Sequence, residues 1–116
     1  MSYLLNAKLA TVTNEKISDY LLNPKHPQNG GKNKFFAAFG FTRAESVILK
    51  SAIEQHPVDN EINEDENSVY GQKFVVMCHL QTPDGRNPCI VSVWIMDTGT
   101  NIPRFVTAYP NDMKIV

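Results

Sequence analysis

The stretch that decides the fold runs from Phe74 to Tyr109 and reads FVVMCHLQ-TPDGR-NP-CIVSVWIMD-TGTNIP-RFVTAY. Runs rich in β-branched and aromatic residues favour three strands: 74–81, 89–97 and 104–109. Short segments containing Pro and Gly separate them and are typical of tight turns: 82–86 and 98–103. Consecutive strands joined by short turns form an antiparallel meander. The sequence therefore predicts a β-meander over residues 69–110.

The residues before this stretch carry helical spacing and helix caps. Thr13 or Asn14 caps a first helix, in which Ile17, Tyr20 and Leu21 fall on one face, and Asn23-Pro24 ends it. A short edge strand is predicted just before it, at Lys8 to Val12. The segment from His26 to Gly31 reads as a loop.

Two further helices are predicted downstream. One spans Lys32 to Phe39, with Gly40 as its C-terminal cap. The other begins at a capping box, Thr42 to Glu45, and ends at about His56, before Pro57. Its predicted apolar stripe consists of Val47, Ile48, Ala52 and Ile53.

These elements predict one α+β domain over residues 1–116, with the helices packed on one face of the sheet. Its parts are a helical region at about 13–57, a solvated acidic connector at 58–68 and the meander at 69–110. Alternation on the strands places Val91, Val93 and Ile95 on one face. The exposed face is then predicted to carry Ser92, Trp94, Thr107 and Tyr109, with Val106 and Ala108 meeting the helices. A shift of one residue would reverse this assignment.

Length and composition restrict the class of protein. With 116 residues, 42% hydrophobic and 20% charged, the chain is long enough for one packed core and has no apolar run of membrane-spanning length. The first residues lack the features of a secretory signal, so we expect a cytoplasmic protein. In that compartment Cys78 and Cys89 are expected to be reduced packing residues.

The net charge of −1 argues against a general nucleic-acid coat, but the charges are unevenly distributed. Residues 20–44 contain four cations and no acid, whereas residues 45–70 contain seven acids and one cation, Lys50. One region can therefore face phosphates while another repels them. Chance segregation on solvated faces explains the same pattern equally well.

Motif searches exclude several site classes. The sequence has no Walker loop, no GxGxxG, no CxxC, no HExxH and no GxSxG. We therefore expect neither a metal nor a cofactor. The remaining candidates for chemistry are cations, hydroxyls and one loop histidine.

His26 lies in the loop beside Lys25 and upstream of Lys32 and Lys34. An imidazole can act as a general base or acid, although a lone surface histidine is more often structural. On the last strand, Arg104, Thr107 and Tyr109 together offer hydrogen bonds to a phosphate. The same three residues also suit an ordinary edge strand.

Several phrases resemble a small, uncharacterised bacterial domain family over almost the whole chain, from Lys8 to Pro110. The phrases are LLNPKHP at 21–27, GKNKFF at 31–36, GF at 40–41, YGQKF at 70–74, PDGR at 83–86, VWI at 93–95 and PRFVTAYP at 103–110. The helices followed by a meander ending in VTAYP also resemble, more loosely, the metal-independent RNase toxins that include barnase, EndoU, colicin E5 and RelE-like nucleases.

That looser resemblance implies an endoribonuclease in which the RNA 2′-hydroxyl attacks the adjacent phosphate. The catalytic positions it implies are His26, as the base, with Lys34, Arg104, Thr107 and Tyr109. Substrate-binding positions are Lys25, Lys32 and Trp94. The partners it implies are RNA and a cognate antitoxin or immunity-type protein. The charge departs from this group, because a pI near 6.3 is low for a small RNase.

The alternative hypothesis is a non-catalytic protein-binding module, one half of a small two-gene pair. An exposed aromatic row of Trp94, Phe105 and Tyr109 would then form the contact patch, and the acidic connector would help to select the partner. The two hypotheses differ in one observable. An RNase requires its cations and His26 to converge on one cleft, whereas a binding module leaves them scattered.

Overall fold

The computed structural model describes residues 2–111 as three helices followed by four strands. The helices are α1, an α-helical turn at Asn14–Lys16 that continues as a π-helix over Ile17–Leu21, then α2 at Lys32–Ala38 and α3 at Ser46–Asp59. The strands are β1 at Ile62–Ser68, β2 at Gly71–His79, β3 at Cys89–Asp97 and β4 at Arg104–Pro110. They pair in chain order, and every pair is antiparallel. The predicted α+β meander is confirmed.

The predicted helix caps form as expected. Thr13 Oγ1 accepts the backbone N–H of Lys16 at 3.3 Å, and Thr42 Oγ1 accepts that of Glu45 at 3.2 Å. Gly40, which follows α2, has a φ of 105°, a backbone conformation that residues other than glycine rarely adopt. The capping box opens with a 3-10 turn at Arg43–Glu45, and the α-helix proper follows it.

The predicted end of α3 is wrong, and its predicted apolar stripe is only half right, since Ile53 is buried and Ala52 packs against the core. The helix continues through Pro57 to Asp59, because a proline near the end removes only its own backbone hydrogen bond and this one is fully buried in the core. The buried stripe is Leu49, Ile53, His56 and Pro57. Val47 and Ile48 are 63% and 43% exposed, since the packed face is displaced around the helix from the predicted one.

The acidic connector is another wrong prediction, because residues 62–68 form strand β1. It pairs with β2 from Ile62, opposite Val76, to Ser68, opposite Gly71. Strand pairing uses backbone groups, so exposed acidic side chains do not prevent it. Charges on such an edge strand also discourage pairing with another chain.

The predicted edge strand at Lys8–Val12 is reduced to one residue. Residues Ala7–Leu9 form a 3-10 turn, and Thr11 alone bridges Arg104 in parallel, beside β4. Thr11 accepts the N–H of Phe105 and donates to the carbonyl of Pro103, both at 2.9 Å.

The face assignment on β3 is reversed relative to the prediction. Ser92 and Trp94 are completely buried beneath the helices, whereas Val91 and Val93 pack with Val75 on the other face. Apolar side chains occupy both rows of β3, so alternation cannot tell which row meets the helices.

On β4 a β-bulge determines which side chains face the helices and which face outward. Thr107 pairs with Val93 and Phe105 with Trp94, which leaves Val106 without a partner. Thr107 and Tyr109 therefore share the outer face, as predicted, and Ala108 lies in the core. Val106 packs on the outer cluster instead of meeting the helices.

Cys78 and Cys89 are joined by a disulfide bond, so the prediction of reduced thiols is wrong. The two residues lie on the neighbouring strands β2 and β3, and their Cα atoms are 4.1 Å apart. The bond closes the hairpin at the end nearest its turn.

Candidate functional site

A cavity of about 510 Å³ lies between α1, the loop that follows it and β4. Its walls combine one cation, two carboxylates, three hydroxyls and an imidazole. The lining residues are Thr13, Glu15, Lys16, Asp19, Tyr20, His26, Gln28, Val106 and Thr107. The amino-terminal loop and the last strand thus share one cavity.

Tyr20 is the centre of this site. Its hydroxyl lies 2.7 Å from Thr107 Oγ1, across the gap between α1 and β4. The ring packs edge-on against His26, with the centroids 4.9 Å apart. The ammonium groups of Lys16 and Lys32 lie 5.5 and 5.6 Å from the ring centroid. Two positive charges therefore lie near the Tyr20 ring.

The loop holds Tyr20 in place through Asn29, whose side chain is 2% exposed. Asn29 Nδ2 donates to the carbonyls of Tyr20 at 2.7 Å and Leu21 at 3.1 Å. Its Oδ1 accepts the backbone N–H of Asn33 at 3.1 Å. Both carbonyls lie at the C-terminal end of the π-helical part of α1, and that of Tyr20 also accepts the backbone N–H of Asn23 at 3.3 Å. One buried amide therefore joins α1, the loop and α2.

His26 is half-buried, and its tautomer is defined by the loop. The backbone N–H of Gln28 donates to His26 Nδ1 at 3.1 Å, so Nδ1 carries no proton in this arrangement. The proton of the neutral ring then lies on Nε2. His26 is therefore a hydrogen-bond donor through Nε2.

The other charges at the cavity differ in how they are held. Lys16 Nζ donates to the carbonyl of Val106 at 3.1 Å, which ties the base of α1 to β4. Lys32 Nζ donates to the loop carbonyls of Gln28 and Asn29 at 3.3 and 3.4 Å. Asp19 pairs with Arg43 at 3.3 Å on the surface. Glu15 is exposed at the start of α1 and supplies the other carboxylate of the wall.

The structure brings together part of the predicted site. His26 and Thr107 line the cavity, and Lys32 borders it through the Tyr20 ring. The lining does not include Lys25, Lys34, Arg104 or Tyr109. Trp94 is completely buried and has no surface for a substrate, and Phe105 is 3% exposed, so the predicted exposed aromatic row is wrong.

Arg104 is engaged elsewhere, by Asp97 at the opposite end of the turn between β3 and β4. Its Nε and Nη2 donate to the carboxylate at 2.7 and 3.1 Å. These hydrogen bonds raise the pKa of Arg104 and lower that of Asp97. The guanidinium therefore already has an anionic partner.

A second polar cluster surrounds His56, to which the sequence assigned no role. His56 Nε2 donates to the carbonyl of Cys78 at 2.9 Å, so Nδ1 accepts the hydroxyl proton of Ser92 at 2.7 Å. Ser92 Oγ in turn accepts the indole N–H of Trp94 at 2.8 Å. Burial lowers the pKa of His56, against the opposing effects of the Cys78 hydrogen bond and Asp59. The cluster is closed to solvent, and none of its three side chains carries a charge in this arrangement.

Sequence reasoning missed four residues on which the site depends: Glu15, Lys16, Tyr20 and Asn29. Tyr20 was assigned to the apolar face of the first helix; it packs partly against the core and also lines the cavity. Within residues 2–111, no group of three or more His, Cys, Asp or Glu side chains is placed to hold a metal ion. No helix in that range is long and apolar enough to cross a bilayer.

Comparison with solved structures finds the same fold in a chain of a contact-dependent growth inhibition toxin–immunity protein complex from Klebsiella pneumoniae 342. The TM-score is 0.69 at 15% identity, and the alignment covers 86% of this chain and 98% of the other. At that identity the likeness is one of fold alone. Residues 3–112 match the family model described as a domain of unknown function (DUF6883). No curated protein matches the sequence.

Proposed function

This chain belongs to the DUF6883 family, and on that premise we propose that it is a metal-independent endoribonuclease of bacterial toxin type. The observation that carries the proposal is the convergence of His26, Thr107, Tyr20 and Lys16 on one cavity, with Lys32 next to the Tyr20 ring. The fold is shared with a chain of a toxin–immunity protein complex, which supports membership of such a pair.

The cavity suits a phosphodiester. His26 Nε2–H and the hydroxyl pair of Tyr20 and Thr107 supply hydrogen bonds to the phosphate oxygens. Lys16 and Lys32 add positive charge, which stabilises the extra negative charge of a five-coordinate phosphorus in the transition state. Seven of the twelve acids lie at positions 45–66, outside the cavity, whereas Glu15 and Asp19 are the carboxylates of its wall.

The tautomer of His26 changes its role relative to the sequence-based hypothesis. Nε2 already carries a proton, so it donates to a phosphate oxygen and does not accept the proton of the 2′-hydroxyl. Glu15 is the base in this proposal, because the other cavity carboxylate, Asp19, is paired with Arg43. The 2′-oxygen then attacks phosphorus and the bond from phosphorus to the 5′-oxygen breaks, so the products are a 2′,3′-cyclic phosphate and a 5′-hydroxyl.

A cognate inhibitory protein is the partner that this function requires. A chain that degrades RNA in the cell that makes it needs neutralisation, and the shared fold with a chain from a toxin–immunity complex supports such a partner. We expect the partner to be an immunity-type or antitoxin protein that covers the cavity.

The test is cleavage of total bacterial RNA and of a 5′-labelled RNA oligonucleotide by the purified chain in excess chelator. The proposal predicts fragments ending in 2′,3′-cyclic phosphate and no cleavage at a position carrying a 2′-deoxy sugar. Intact RNA at stoichiometric protein, or cleavage that persists at the 2′-deoxy position, would contradict it.

The rival hypothesis, a binding module, has lost its main support. Two of the three aromatic residues expected to form its contact patch lie in the core. Induced expression in bacteria separates the two functions: a ribonuclease arrests growth with loss of RNA, whereas a binding module leaves RNA intact.

A further inference from the structure

We propose that Tyr20 is a catalytic residue and that its hydroxyl donates the proton to the departing 5′-oxygen of the RNA. This inference rests on the proposed ribonuclease function. Neither the sequence motifs nor the family assigns Tyr20 a role; the evidence is its place in the cavity.

Tyr20 carries the most acidic hydroxyl group of the cavity. Among the described residues that line the cavity, hydroxyl groups are supplied by Thr13, Tyr20 and Thr107. A phenol is a far stronger acid than the aliphatic hydroxyl of threonine, so Tyr20 is the suitable proton donor for an alkoxide leaving group. His26 Nε2–H, on a neutral ring, serves as a hydrogen-bond donor instead.

The Tyr20 phenol is preorganised by its neighbours. Thr107 lies 2.7 Å from the phenol oxygen and can donate to it, which leaves the phenol proton free for the substrate and stabilises the phenolate that forms. The backbone of Tyr20 is held by Asn29 at 2.7 Å, and its ring is held by the edge of His26. Tyr20 is therefore held at its hydroxyl, its ring and its backbone, in a cavity that is open to solvent.

The protons of the cleavage step balance when Tyr20 is the acid and Glu15 is the base. Glu15 takes the proton of the 2′-hydroxyl as the bond from the 2′-oxygen to phosphorus forms. The bond from phosphorus to the 5′-oxygen breaks, and that oxygen takes the proton of Tyr20. Solvent then returns a proton to the phenolate and removes one from Glu15, so the products are a 2′,3′-cyclic phosphate and a 5′-hydroxyl.

The experiment compares two leaving groups in wild type and Tyr20→Phe. One substrate is an RNA dinucleotide, and the other is a nucleoside 3′-(4-nitrophenyl phosphate), whose nitrophenolate departs without a proton. A general acid contributes about 10²–10⁴-fold, so Tyr20→Phe is expected to lose about that factor on the dinucleotide. On the aryl ester we expect a loss of less than about tenfold, since only a binding hydrogen bond is removed.

Equal losses on the two substrates would reduce Tyr20 to a positioning residue and overturn the inference, as would full activity of Tyr20→Phe on RNA. Thr107→Val provides the second variant: it keeps the phenol and is expected to slow the dinucleotide more than the aryl ester. Thermal unfolding of each variant shows whether it folds. If wild type cleaves neither substrate, the proposed function itself fails, which is a distinguishable result.

Discussion

Two clusters in this molecule contain similar side chains but have different roles: one lines the cavity and the other lies in the core. At the cavity, His26 lies beside an aromatic residue, Tyr20, that is hydrogen-bonded to the hydroxyl of Thr107. In the core, His56 is hydrogen-bonded to the hydroxyl of Ser92, which is bonded to the aromatic Trp94. Both clusters pair an imidazole with a hydroxyl and an aromatic ring that carries a proton donor.

Access to solvent separates the two clusters. Ser92 and Trp94 are completely buried and His56 is 1% exposed, and every proton donor among them has an acceptor. His26, Tyr20 and Thr107 are half-buried and line an open cavity, and two ammonium groups lie near the Tyr20 ring. A closed network of this kind stabilises a fold, whereas an open one is available to bind and to react.

Removing the open imidazole is expected to have the largest effect. In His26→Ala, RNA cleavage should decrease by about 10²–10³-fold, because a hydrogen-bond donor to the transition-state phosphate is lost. The free energy of unfolding should change by less than about 0.5 kcal/mol, as is usual for residues outside the core. The matched control is His79→Ala, an exposed histidine on β2, which should cleave like wild type. Equal activity of both variants would contradict the account.

The next largest effect is expected from opening the sealed network. Ser92→Ala leaves the indole N–H of Trp94 without an acceptor and His56 Nδ1 without a donor. We expect the free energy of unfolding to fall by about 1–3 kcal/mol, the usual cost of an unsatisfied buried polar group. Urea denaturation measures it. Cleavage by the folded fraction should be unchanged, and a loss of activity without a loss of stability would place Ser92 in the site instead.

The sealed network should also make stability depend on pH. Burial holds the pKa of folded His56 below the unfolded value of 6.5, so the unfolded state binds the proton more readily between the two. The contribution to stability is then complete above about pH 6.5 and is lost as the pH falls from there to the folded pKa, with a limiting slope of about 1.4 kcal/mol per pH unit. Urea titrations from pH 5 to 8, with His56→Gln as the non-titrating control, test this. Identical slopes for both proteins would show that His56 has no such effect.

The smallest effect is expected at Arg104, outside both clusters. Its guanidinium is half-exposed and already paired with Asp97, and exposed ion pairs contribute little to stability. Arg104→Ala should therefore cleave RNA within about threefold of wild type, well below the effect of a catalytic group. A loss comparable to that of His26→Ala would extend the site along the outer face of β4, where Arg104 and Thr107 both lie.

The sequence predicts the elements of this fold where signals are local. Caps at Thr13 and Thr42 and the turns of the meander depend on neighbouring residues, and they form as expected. Strand β1 was missed because its acidic residues resemble a solvated loop, and only pairing with β2 makes them a strand. The reversed face of β3 has a similar origin, since apolar residues on both rows leave the choice to the helices.

For the candidate site, the sequence identified the loop histidine and Thr107, which unusual composition and strand alternation pointed out. It missed Tyr20 and Lys16 because a helical pattern cannot show that the last strand lies beside that helix. Asn29 was hidden for the same reason, since its partners are backbone carbonyls of Tyr20 and Leu21, nine and eight residues away along the chain.

The most direct test follows the imidazole ¹⁵N and ¹H signals of His26 and His56 by NMR while a non-cleavable 2′-O-methyl RNA oligonucleotide is added. The account predicts that the His26 signals shift and saturate with the bound fraction, while those of His56 stay in place. RNA binding that leaves His26 unperturbed would contradict the claim that this cavity receives the phosphate.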